Sequence, residues 1–163
     1  VFGAMSYTAS SAFGSLMALR EVNLVTHFTH FTVGHAHHGA YGFVTMTLFG
    51  GIYFMLPRLL GREWPSLKLM HLHFWFCSLG ITLMVVALSI GGWLQGLEMN
   101  NPDIPFITTV VNSLPYLKLR TLSGILLFLG HTAFVVHLFW IVFFKPRTVV
   151  TGPAVLSPAS SQA

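Results

Sequence analysis

His35 and His37 stand two residues apart in Gly34-His35-Ala36-His37-His38-Gly39, near one end of a long apolar stretch. A helix turns each residue by about 100°, so the two side chains diverge by roughly 200°. Two such imidazoles cannot hold one metal ion together. They can hold two different metal centres, one on each side of the helix. Neutral imidazole is the commonest metal ligand. Gly34, Ala36 and Gly39 leave room for a flat macrocycle to approach. The spacing suits a helix that ligates two haems through opposite faces, which implies electron transfer inside a membrane. The plainer alternative is a pair of interhelical hydrogen-bond donors.

The other histidines, nine in all with this pair, point in several directions. His38 faces a third way, about 100° from His37, and suits a polar contact better than ligation. His27 and His30 lie among Thr26, Thr29 and Thr32 at the mouth of the stretch. His27 precedes His35 by a little over two turns, so a continuous helix puts them on nearly one face. There it could hydrogen-bond haem propionates or face a cation; the alternative is an interfacial polar cap. His71 and His73, beside Trp75 and Lys68, read as anchors at a membrane interface. His131 and His137 are six residues apart, on different faces, and read as interhelical hydrogen-bond partners. Arg20, Lys118 and Arg120 are the cations on the same side as the mouth. Anionic propionates favour such partners. Arg120 is the best placed, with a solvated helix terminus as the plainer reading. The single Cys77 excludes an internal disulfide and reads as a small buried hydrophobe.

These side chains need a scaffold, and the composition says which kind. Of 163 residues, 54% are hydrophobic and only 7% are charged, against about 25% charged in a soluble domain. The net charge of +4 is spread over the ends of apolar runs. There is no basic cluster with interleaved aromatics, so nucleic acid is not an expected partner. The expectation is an all-α, polytopic membrane bundle with about four spans: Val1–Leu19, Phe28–Leu56, Leu69–Leu94 and Thr121–Phe144. A bilayer core needs about 20 apolar residues, and only helices satisfy their own backbone within lipid. Gly50-Gly51 and Gly91-Gly92 read as points of close helix approach.

The connections set the topology. Pro57–Lys68 carries Arg58, Arg62 and Lys68 against Glu63, and Lys145 and Arg147 follow the last span. The positive-inside rule places both in the cytoplasm. Gln95–Arg120 then reads as a long outer connection with several prolines, and Arg20–Thr26 as a short one. His35 and His37 fall roughly 10–13 Å below the outer end of their helix at 1.5 Å per residue. Residues 1–145 form the membrane part, and 146–163, rich in Pro, Ser and Ala, read as a disordered cytoplasmic tail. Val1 is not Met and opens in mid-helix character. A carboxy-terminal piece of a larger protein is the expectation.

The run Thr26-His27-Phe28-Thr29-His30-Phe31-Thr32-Val33-Gly34-His35-Ala36-His37, continuing to Gly39-Ala40-Tyr41-Gly42-Phe43, resembles the tenth helix of haem-copper oxidase catalytic subunits. With Gly61-Arg62-Glu63-Trp64, His73-Phe74-Trp75 and Gly92-Trp93-Leu94-Gln95-Gly96, it looks most like subunit I of the C-family, the cbb(3)-type cytochrome c oxidases. Nitric oxide reductase large subunits are similar over the same stretch. The resemblance covers about Arg20–Phe144 and makes the spans helices nine to twelve of a twelve-helix core. It implies two b-type haems. His35 would ligate the high-spin haem iron and His37 the low-spin haem iron. His27 would lie near the high-spin propionates.

The resemblance also implies what lies elsewhere. The copper ligands and the second low-spin haem histidine belong to earlier helices. The partners would be the rest of subunit I, other oxidase subunits, a cytochrome c donor and the lipid bilayer of a bacterial inner membrane. The whole enzyme would reduce O2 to water and move protons, while this stretch alone would be inactive. Two positions depart from the family pattern. Ala12-Phe13-Gly14 holds no acid where a Glu in Phe-Glu-Gly is usual, and His30 replaces an Asp. The alternatives are a nitric oxide reductase, or a divergent membrane subunit without haem.

Overall fold

The computed structural model describes residues 1–146, and every regular element among them is helical. The expected tail lies outside the described residues from 147 onward. Five helices carry the chain. They are α1 (Phe2–Met17), α2 (Arg20–Thr26), α3 (His30–Leu60), α4 (Leu67–Met99) and α5 (Phe106–Phe144). The last three are long and apolar enough to cross a membrane. Of the four expected spans, α1 is helical over the 16 residues Phe2–Met17.

Local chemistry sets the ends. Gly61 closes α3 at φ 60°, a left-handed conformation that glycine adopts without penalty. Ser66 then caps α4, its hydroxyl accepting from Leu69 N at 3.3 Å. The Gln95–Arg120 connection expected from its polar residues and prolines is much shorter: only 100–105 separate α4 from α5. The charges misled because these helices have 33 and 39 residues. At about 50–58 Å they outrun a 30 Å core, so their ends can be polar and still helical. Pro105 caps α5 rather than breaking it, and Pro115 sits inside it.

Small residues let the helices approach. Gly92 lies so close to the α3 backbone that an added Cβ would overlap Phe31 N, and one at Gly96 would overlap the Val25 carbonyl. On the other side of α4, Gly80 faces Leu127 and Gly91 faces Tyr116 of α5. Gly91-Gly92 is thus the expected close approach, whereas Gly50 has nothing near it. A seam of Ser6, Ser10 and Gly14 in α1 meets Gly42, Gly39 and His35 of α3. Two apolar clusters fill the interior. One holds Tyr53, Trp64, Phe134 and Ile141; the other holds Ile81, Met84, Val85 and Leu88. Large apolar side chains such as Leu48, Leu59, Leu79, Phe128 and Phe143 point outward, as a lipid-facing surface requires.

Candidate functional site

The first turn of α3 is built to be immobile. Thr26 ends α2, and its carbonyl accepts from the Thr29 and Thr32 hydroxyls at 2.7 and 2.9 Å. Phe28 makes the turn at φ 59°, an uncommon conformation for an aromatic residue. Thr29 caps Phe31 N. The His30 backbone N–H and ring Nδ1 both meet Gln95 Oε1 of α4, at 2.9 and 2.7 Å. Gly34 lies against α4, where an added Cβ would come 3.2 Å from Leu88 Cβ. Together these contacts fix the rotation of α3 about its axis.

That rotation puts the histidine pair on opposite flanks. His35 turns toward α1, where a Cβ at Gly14 would stand 3.3 Å from His35 Cε1. Its Nδ1 is buried with no hydrogen-bond partner among the described residues. His37 is exposed, and its Nδ1 meets the Val33 carbonyl oxygen at 2.8 Å. A carbonyl only accepts, so Nδ1 carries the proton and Nε2 keeps its lone pair. This is the arrangement of a metal-ligating imidazole held by an outer hydrogen bond. His38 returns to the α1 side, 6.2 Å from the Phe13 ring; the polar contact expected for it is not made, since its Nδ1, like that of His35, is buried with no hydrogen-bond partner among the described residues. From His38 to Thr45 the helix widens to a π-helix, a feature frequent at functional sites. No motif in the sequence announced it.

His27 and Arg120 stand differently from expectation. The helix is broken between Thr26 and His30, so His27 does not share a continuous helical face with His35. It is exposed and packs on Phe28, ring centroids 4.0 Å apart. Arg120 lies in mid-helix rather than before a helix, and is exposed. Among the described residues no hydrogen bond or ring contact joins either to the α3 pair.

The remaining histidines form a second group. His131 meets the Tyr41 hydroxyl at 3.0 Å, joining α5 to α3. His137 accepts from Ser66 N at 3.3 Å and packs against Trp64, the rings tilted by 43°. Both are the interhelical partners expected. His71 is exposed, as an interfacial residue should be, but His73 is not. His73 is 1% exposed, and its Nδ1 meets the Tyr53 hydroxyl at 3.0 Å. The offset of four from His73 to Cys77 was the available signal, since it puts them on one helix face. His73, Cys77 and His131 offer ligand atoms within 4.8 Å of one another.

The His pair fits iron ligation by haem. His37 presents an outward Nε2 with its other nitrogen occupied. His35 holds a buried nitrogen with no protein partner, beside glycines that keep its flank low. The chain matches the family model Cytochrome C and Quinol oxidase polypeptide I over residues 1–126. It is 35% identical to cytochrome c oxidase subunit 1 of Rhodobacter capsulatus over 91% of this chain and 29% of that protein. It is 34% identical to the cbb3-type cytochrome c oxidase subunit CcoN1 of Stutzerimonas stutzeri, over 76% of this chain and 28% of the other. It superimposes on a heme-copper terminal oxidase solved by cryo-EM as a dimer, with TM-score 0.74 and 25% identity, covering 99% of this chain and 29% of that one. The chain thus spans under a third of the length of these relatives. It belongs to the cytochrome c and quinol oxidase polypeptide I family, multi-pass membrane oxidoreductases of the haem-copper type.

Proposed function

We propose that this chain is the carboxy-terminal part of the catalytic subunit of a cbb(3)-type terminal oxidase. The whole enzyme takes electrons from cytochrome c, reduces O2 to water and couples this to proton translocation. The opposed setting of His35 and His37 on one rigid helix carries the reading. His37 would hold a low-spin b-type haem and His35 a high-spin one. The first haem would supply electron transfer and the second the oxygen-binding chemistry. The protein's work is to fix both imidazoles. Thr29, His30 and Gln95 hold the start of α3, and the Val33 carbonyl holds the His37 tautomer.

Arg120 and His27 are proposed as propionate partners, their contacts completed by the rest of the subunit. The family's copper is bound outside this chain. The basic Pro57–Lys68 connection supports a bacterial inner membrane topology with the carboxy terminus in the cytoplasm. The test is the intact complex. Two b-type haems and one copper per subunit, with O2 consumption driven by reduced cytochrome c, support the reading. Non-haem iron in place of copper, with NO reduction, replaces it by a reductase. Absence of haem absorbance removes both.

A further inference from the structure

The second histidine group has features that packing does not explain. His73 and Cys77, 1% and 0% exposed, project from one face of α4, and His131 meets them from α5. Gly130 clamps the thiol, since a Cβ there would come 2.6 Å from Cys77 Sγ. Tyr53 occupies His73 Nδ1, and Tyr41 occupies His131 Nε2, each at 3.0 Å. If His73 Nδ1 donates to the Tyr53 oxygen, its Nε2 is left with a lone pair. That atom is buried and has no partner among the described residues. Tyr53 thus orients His73 as outer partners of metal ligands do, whereas the Tyr41 hydroxyl sits within the group, against both His131 Nε2 and the Cys77 thiol. Leaving a buried nitrogen unsatisfied is costly, so its orientation asks for a ligand.

We propose that His73, Cys77 and His131 bind a cuprous ion between α4 and α5. The donor set, one thiolate and two neutral imidazoles, suits soft or borderline metals. Charge decides among them. Cu(I) with one thiolate is neutral overall, whereas a divalent ion leaves a net positive charge in an apolar interior, which is expensive. Metal–sulfur and metal–nitrogen bonds of about 2.0–2.3 Å bring ligand atoms to within about 4 Å of each other. From 4.8 Å, side-chain adjustments of less than about 1 Å close the site.

The test uses the full-length subunit in its assembled oxidase, incubated anaerobically with Cu(I), desalted and examined by copper K-edge X-ray absorption. The copper expected elsewhere in the family has histidine nitrogen ligands, so a Cu–S scattering path reports this site. The wild-type protein should show that path. The Cys77→Ser and His131→Leu variants should each retain one copper fewer per complex while keeping the wild-type haem spectrum, and Cys77→Ser should lose the path. If one variant fails to accumulate, the other and the wild-type spectrum decide. A wild-type spectrum without a Cu–S path overturns the proposal. So does a path unchanged in Cys77→Ser, or retention of Zn(II) in preference to Cu(I).

Discussion

His37 Nδ1 lies 2.8 Å from the Val33 carbonyl oxygen, one turn back on the same helix. The pair holds one imidazole tautomer with backbone alone. The direction of the free Nε2 therefore depends on how α3 is rotated, and the glycines packed between α3 and α4 set that rotation. An added methyl at Gly92 would overlap Phe31 N, whereas one at Gly34 would press on Leu88 Cβ at 3.2 Å. Gly92→Ala should destabilise the full-length protein by about 3 kcal/mol and Gly34→Ala by about 1 kcal/mol. Thermal loss of haem absorbance reads both. Equal tolerance of the two substitutions contradicts the packing described.

Arg62 tests how α5 ends. Its guanidinium donates to the Ile141 carbonyl at 2.9 Å and to that of Val142. Both carbonyls belong to the final π-helical turn, Trp140–Phe144, whose acceptors lack helical donors. Arg62→Ala should cost about 1.5–3 kcal/mol. Arg62→Lys should recover only part, because an ammonium is a point charge without the guanidinium fork. Denaturation midpoints of the three proteins in detergent check the order.

Tyr53 joins two elements at once. Its hydroxyl meets His73 Nδ1, and its carbonyl accepts from Trp64 Nε1 at 2.8 Å. Tyr53→Phe keeps the ring and the carbonyl but strands a buried imidazole nitrogen, at a cost of about 1–3 kcal/mol. Trp64→Phe strands the Tyr53 carbonyl, whose helical donor is missing because Pro57 has no N–H, and shrinks a core side chain, at a cost of about 2–4 kcal/mol. Unfolding followed by haem absorbance should find Trp64→Phe at least as destabilised as Tyr53→Phe.

Much of this was legible in the sequence because a membrane restricts the answers. Continuous apolar runs had to be helices, and an i, i+2 histidine pair had to diverge. The structure keeps both. Helix ends were less legible, since α4 and α5 run past the bilayer length and polar residues such as Glu98 and Lys118 do not stop them. The break before His30 was hidden by its neighbours, which are all compatible with helix. It depends on Phe28 taking a left-handed conformation and on Gln95, 65 residues away, capping the restart. His73 was misjudged for the same reason. Its partners Tyr53 and His131 come from other helices, and no local pattern encodes that meeting.

The central claim is that one helix ligates two haems through opposite faces. Its most direct test is the optical and EPR spectrum of the full-length subunit carrying His35→Ala or His37→Ala. His37→Ala should abolish the low-spin haem signal while the ligand-binding haem remains. His35→Ala should disturb chiefly the high-spin haem and leave the low-spin signal in place. Two normal haem signals in both variants, or loss of the same haem in each, would contradict that claim.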